Sequence, residues 1–249
     1  VLEGSFGAVR ELRDLAYGAF PLRNTDNPGQ AAHGTLNEFN DNWKLSLRYP
    51  DSIASDVEAA LWAWAHFGGL RERTRRGFGA IEQIAPDLLS VEQGWSEFVT
   101  GIEVPWPHLR SDRQRWLRAG GRFETGIAAQ KHLLNRLHLL RQGRVGRKPG
   151  PESGRDGHPG RSYWPEADTI RKLTRKSASA HRSPVTAVEG FPRAAFGTPI
   201  IFHFKDKGEP RDVTLRPAGK QRLSSPLLLR PHRRTDGSIE ALALVRGHD

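Results

Sequence analysis

Between Gly68 and Gly79 the chain reads Gly-Gly-Leu-Arg-Glu-Arg-Thr-Arg-Arg-Gly-Phe-Gly, with four arginines, Arg71, Arg73, Arg75 and Arg76, inside six positions. A guanidinium group keeps its charge at any physiological pH and pairs with phosphate oxygens through parallel N–H donors. Gly68, Gly69, Gly77 and Gly79 let the backbone come close to a bulky ligand. Together these residue types suit a sugar-phosphate backbone. Phe78 adds a ring that can stack on a base, or that can anchor the following segment in a core. The same spacing also fits a merely solvated loop, or one that pairs with carboxylates of its own or a neighbouring subunit. The pattern lacks the G-x-x-x-x-G-K-S/T form of a nucleotide-triphosphate loop and follows a predicted helix rather than a strand, and it does not match a dinucleotide fingerprint.

Other chemistry finds little support. The ten histidines are scattered without H-x-x-H or H-E-x-x-H spacing and there is no cysteine, so neither a metal nor any other cofactor is expected. His181 lies near Ser177, Ser179 and Ser183, but no G-x-S-x-G elbow or positioned acid accompanies it, and no catalytic residue is assigned. His66 adjoins the glycine-rich loop but falls on a predicted helix, where packing or exposure is its default.

Thirty-eight Lys and Arg against 28 Asp and Glu give a formal charge of +10 over 249 residues, which suits a polyanionic partner. The length allows two modest domains, each with a core. Absence of cysteine leaves a reducing, cytoplasmic location unopposed. No apolar run approaches the roughly 18 residues a membrane span needs, and Glu3, Glu11 and Asp14 stand where a signal peptide would be apolar. The chain opens at Val and has no Met, so a natural start is expected upstream.

The elements that must hold the loop follow from periodicity. Leu12 to Leu22 reads as a strand or mixed apolar element, Asn24 to His33 as a loop, and Trp43, Leu45, Leu47 and Tyr49 alternate with polar residues as a strand ended by Pro50. Ser55-x-x-Glu58 has capping-box form and predicts a helix over about Asp56 to Phe67, with Val57, Leu61 and Trp64 on one apolar face. Its aromatic residues Trp62, Trp64 and Phe67 are assigned to packing. Ala80 to Ile84 reads as a short strand, and a connection containing Trp95 and Trp106 closes a first domain over residues 1–90. The second domain, 91–249, is expected to hold helices at Arg113 to Ala119 and Thr125 to Arg141, and a glycine-rich basic insertion at 143–161 that cannot order itself. A helix from Pro165 should expose Arg171, Lys172, Arg175 and Lys176. Strands are expected at Pro199 to Phe204, Asp212 to Leu215, Pro226 to Leu229 and Ser238 to Val245, with turns at Asp206 to Gly208 and Asp236-Gly237. The fold class is α+β with mainly antiparallel pairing.

Three blocks in order resemble the largest RAMP-type subunit of the Cmr complex, the type III-B CRISPR effector: Phe67 to Gly79, Phe191 to Phe204, and Arg222 to Pro231. The resemblance implies two RRM-like ferredoxin folds, the first incomplete because the family's basic N-terminal block is absent. It implies a non-catalytic, RNA-binding subunit of antiviral defence that meets the crRNA 3′ region, target RNA and the other Cmr subunits, away from any membrane. Arg71-Glu72 departs from the small residues usual at that point, which puts the backbone path of the loop in question. Arg193, Arg222 and Arg230, within the second and third blocks, are added as RNA-facing candidates, against the reading that they are ordinary surface charge. Two other classes stay open: a metal-independent ribonuclease of similar fold acting on CRISPR RNA, and a protein-protein scaffold without RNA contact.

Overall fold

In the computed structural model the described residues are Leu15, Gly18, 44–70, 73–82, 89–100, 115–141, 162, 164–185, 187–234 and 236–245. They form a mixed α+β structure with small antiparallel sheets. The chain divides into two compact units, Val1–Asn135 with Leu228–Asp249, and Arg136–Leu227. The boundary expected at residue 90 thus lies inside the first unit, which the C-terminal hairpin completes.

The first unit is organised around Trp62. Helix α1 (Ala54–Phe67) follows a 3-10 turn at Asp51–Ile53, and Trp62 on it is 2% exposed. Trp62 packs edge-on against Phe67 and Trp95, with ring centroids 5.2 and 6.2 Å away, and its Nε1 donates to the Ser90 carbonyl at 3.1 Å. Trp95 sits on helix α2 (Val91–Phe98), whose Ser90 and Gln93 form a reciprocal capping box. Gly94 makes the contact possible, because a Cβ there would lie 2.1 Å from Trp62 Nε1. A three-stranded sheet in the order β1 (Arg115–Phe123), β5 (Ile239–Val245), β4 (Leu227–Arg233) completes this unit. Central β5 is buried along both faces, with Ala241 and Ala243 alternating with Leu242 and Leu244. β4 and β5 join through a tight turn in which Gly237, at φ +81°, donates to Arg234 O. The antiparallel β1–β5 register runs from Arg115↔Val245 to Ala119↔Ala241 and shifts before Phe123↔Ile239, where Gly121 takes φ +126°. Helix α3 (Gly126–Arg141), started by the Thr125 hydroxyl, which accepts from Ala128 N–H, buries Ala129, Leu133 and Leu134.

The second unit packs helix α4 (Glu166–Thr174) with the β2 (Ile200–Phe202) and β3 (Val213–Leu215) hairpin around Ile170, Ile200 and Phe202, joined by Phe191, Phe204, Val213 and Leu215. Ile201 alternates outward. A fully buried carboxylate, Glu166, accepts the Arg193 backbone N–H at 2.7 Å and pairs with the Arg193 guanidinium, its Oε2 being 3.1 Å from Nε. The same guanidinium donates to Arg141 O and lies over the Phe202 ring.

Several expectations are corrected. Lys44 to Pro50 is not a strand: its alternation finds no partner strand among the described residues, and Leu45 and Leu47 are about half exposed. Helix α1 starts without the Ser55/Glu58 box, and its buried residues are Trp62, Ala65 and His66 rather than Val57, Leu61 and Trp64. Of the strand expected at Ala80 to Ile84, residues 80–82 are not strand and 83–84 lie outside the described residues; Trp95 lies on a helix rather than in a connection; and of the helix expected at Arg113 to Ala119, residues 115–119 are strand β1, because pairing with β5 overrides local propensity, while 113–114 lie outside the described residues. Helix α4 exposes Lys172, but Arg171 is mostly buried in ion pairs with Asp168 and Glu209. Leu15 is helical, and the rest of the element at Leu12 to Leu22, apart from Gly18, lies outside the described residues, as do Asn24 to His33, Trp106 and 143–161. Helix α3, the helix after Pro165 and the strands after Thr198 form where expected.

Glu166→Ala leaves Arg193 enclosed without its anion, so thermal unfolding of the full chain should show a loss on the order of 3–5 kcal/mol. A loss under about 1 kcal/mol would rank the pair with ordinary surface ion pairs.

Candidate nucleic-acid interface

The loop begins where α1 stops. Gly68 N–H donates to Trp64 O at 2.9 Å, and the chain then leaves the helix in extended conformation. Leu70 N–H donates to Gly79 O at 2.8 Å and closes a neck. Both glycines at this neck are sterically required: a Cβ on Gly69 would lie 2.6 Å from Gly79 O, and one on Gly79 only 1.9 Å from Leu70 O. Gly79 is also left-handed, at φ +64°.

Beyond the neck, Thr74–Arg76 forms a 3-10 turn bracketed by left-handed Arg73 (φ 62°) and Gly77 (φ 81°). Left-handed backbone costs a non-glycine residue about 1 kcal/mol, and Arg73 is held there by two bonds. Its carbonyl accepts Arg76 N–H at 2.8 Å, and its guanidinium donates to Gly18 O at 3.0 Å. Gln130 on α3 donates to Arg76 O at 3.2 Å. Gly77 is buried against Leu229 O and Pro231. Phe78 is half-buried, its ring edge lying over Gly18 beside the Leu134 methyls, so it anchors the loop in the core. Arg75 and Arg76 are half-buried on the turn, and Arg71 lies outside the described residues.

Arg230 holds the stems. It is 4% exposed, and its guanidinium donates to Gly68 O at 2.7 Å and to Ile81 O at 2.6 Å, one carbonyl from each limb. Burial pushes its pKa down to about 10, which leaves it cationic at neutral pH. The expectation that Arg230 faces RNA is therefore corrected: it is an internal clamp. Arg193 is likewise engaged inside the second unit with Glu166 and Arg141 O, whereas Arg222 is exposed. Sequence reading missed Gln130, Gly18 and the clamping role of Arg230, since these contacts join residues far apart in the chain.

Beside the clamp lies a pair of histidines. His66 is 8% exposed, with Nε2 2.9 Å from Leu89 O, and its ring centroid is 5.6 Å from that of His232. Burial pushes its pKa down to about 4, opposed by the Leu89 carbonyl and reinforced by His232 and Arg230. Burial also lowers His232, opposed by Glu240, whose Oε1 is 3.3 Å from its Nδ1. These contacts make His66 a packing histidine that is neutral at neutral pH. Among the described residues no group of three or more His, Asp or Glu is arranged to hold a metal ion, and no helix is long and apolar enough to cross a membrane.

Comparison with protein-family models, with curated proteins and with solved structures gives no match.

Arg230→Met keeps an apolar stem but strips both donors from Gly68 O and Ile81 O, so stability should fall by about 2–4 kcal/mol. Limited proteolysis should then cut between 70 and 79 faster than in wild type, while an unchanged cleavage rate would remove Arg230 from its role as clamp.

The histidine pair makes the fold acid-sensitive. His66 binds its proton less readily folded (about 4) than unfolded (6.5), so stability is full above pH 6.5 and is lost as pH falls toward 4. The loss from His66 is on the order of 3 kcal/mol. Melting temperature should therefore drop between pH 7.5 and 4.5, and less steeply in His66→Gln. Parallel profiles for the two proteins would exclude His66 as the cause.

Proposed function

We propose that this chain is a non-catalytic subunit that binds single-stranded RNA through the Gly68–Gly79 loop. The reading rests on one observation above others. A run of arginines is carried on a 3-10 turn whose neck is closed by Leu70 N–H to Gly79 O and whose two stems are fixed by one buried guanidinium. A fixed backbone bearing cations loses little conformational freedom when it meets a phosphate chain. The formal charge of +10 gives it the field to attract one.

The three sequence blocks extend the proposal to a subunit of a type III-B CRISPR effector, working in the cytoplasm on crRNA and target RNA beside other Cmr subunits. On this reading the two units correspond to two RRM-like folds, the first lacking part of its sheet. RNA sequence would be read by base pairing with the guide, and the protein would grip backbone. Of the arginines considered, Arg71, Arg75 and Arg76 stay with the loop site and Arg222 with the surface, while Arg73 holds the loop backbone through Gly18 O and Arg193 and Arg230 serve the fold.

Fluorescence anisotropy with a single-stranded RNA across a salt series tests this. A variant with Arg71, Arg75 and Arg76 changed to Ala, Arg73 being kept because it holds the turn through Gly18 O, should stay folded and lose affinity. The slope of log affinity against log salt should shrink by about 0.7 for each phosphate contact removed. Unchanged affinity and slope in a folded variant would overturn the loop assignment.

A further inference from the structure

The second unit carries a concentration of charge that the loop does not account for. Arg175, Lys176, Arg182, Lys205 and Lys207 are all exposed, and none has an ion-pair partner among the described residues. The chain path brings their segments together. Arg175 ends α4 in left-handed conformation (φ 53°), and the reversal carries residues 176–178 across to the turn at 206–209. There a Cβ on Gly208 would lie 3.7 Å from Ser177 O.

A buried carboxylate fastens the three segments. Glu209 accepts from Ala178 N–H at 3.0 Å and lies 2.7 Å from His181 Nδ1, and its second oxygen accepts Arg171 Nε at 2.7 Å. These bonds hold its carboxyl below the ordinary value although burial alone would raise it. Asp168 is turned inward too, accepting from Arg171 and from Val185 N–H. Asp206, 3.8 Å from His181 Nδ1, is exposed, as are Glu189, which pairs with Lys172, and Asp212, which pairs with His203. Glu209 and Asp168 are drawn inside to hold the segments, and five cations are left outside.

Like charges gathered on such a crest raise a positive potential that draws in a polyanion. The cations come from three segments, the end of α4, Arg182, and the 205–208 turn, so the positive surface is shared by several stretches of backbone, as suits an extended polyanion. We propose that this crest is a second contact for the RNA sugar-phosphate backbone, built into the second unit and separate from the glycine-rich loop. The inference deepens the RNA-binding reading and rests on it for the identity of the polyanion.

The test uses the full chain and a 20-nucleotide oligouridine, with heparin as a competitor. A crest variant, Arg175, Lys176, Arg182, Lys205 and Lys207 all to Gln, should keep the wild-type circular dichroism and melting temperature, since every position is exposed. It should bind oligouridine at least about tenfold more weakly at 0.1 M salt, with the salt slope reduced by about 0.7 per phosphate lost. Combined with the loop variant, the two losses should multiply. A folded crest variant that binds as wild type while the loop variant loses affinity would overturn the crest and leave the loop. The converse result would overturn the loop and leave the crest. Equal loss of heparin and RNA binding by the crest variant supports backbone contact, whereas loss of heparin binding alone counts against an RNA role.

Discussion

The glycine-rich loop depends on a cation that pairs with no carboxylate among the described residues. Arg230 is enclosed almost completely, yet its guanidinium meets two carbonyl dipoles, those of Gly68 and Ile81, rather than an anion. A lysine could not replace it on equal terms, because a single ammonium cannot reach two divergent carbonyls with the planar fork of arginine. With both stems tied to β4, the close glycine contact at the neck becomes geometrically necessary. The 3-10 turn beyond can then keep left-handed Arg73 in place through Gly18 and the loop's own backbone. Removing the clamp would release this whole chain of constraints, which is why one strand residue matters to a loop so distant in sequence.

The second unit handles its charges in the opposite way. Its enclosed arginines take carboxylates: Arg193 meets Glu166, and Arg171 meets both Asp168 and Glu209. Burying such pairs adds little net stability over a well-packed apolar pair, since desolvation offsets most of the attraction. Their effect is local: Glu209 and Asp168 are committed to Arg171 and to backbone N–H groups, so neither is left to neutralise the exposed lysines and arginines of the same segments.

What could be read from sequence was whatever has a local cause. The turn at Asp236-Gly237 and the bend at Asp206 to Gly208 come from glycine's access to positive φ, and helix α3 from a continuous 3.6-residue pattern. The arginine and glycine content of the loop was legible for the same reason. Strand β1 was not, because it exists through pairing with β5 at the far end of the chain, and Arg115-Trp116-Leu117-Arg118 has no local feature to say so. The alternation at Leu45 to Tyr49 misled in the other direction, having the period of a strand but no partner among the described residues. Ser90 and Gln93 carry a local signature, a capping box with Gln in the Glu position, and it forms where the similar spacing at Ser55 and Glu58 does not.

The two fates of arginine explain why spacing alone could not sort the candidate site. Arg230, between Leu229 and Pro231, and Arg75, between Thr74 and Arg76, carry no local mark that tells their fates apart. One bonds to carbonyls 149 and 162 positions away, and the other sits half-buried on a surface turn. The difference lies in what surrounds the side chain after folding, and it decides how deeply each charge is enclosed by the fold. A contact surface for a polyanion needs both kinds. On the RNA-binding proposal, internal arginines fix the backbone, and external ones would meet phosphate on a framework that no longer has to be ordered at the moment of binding.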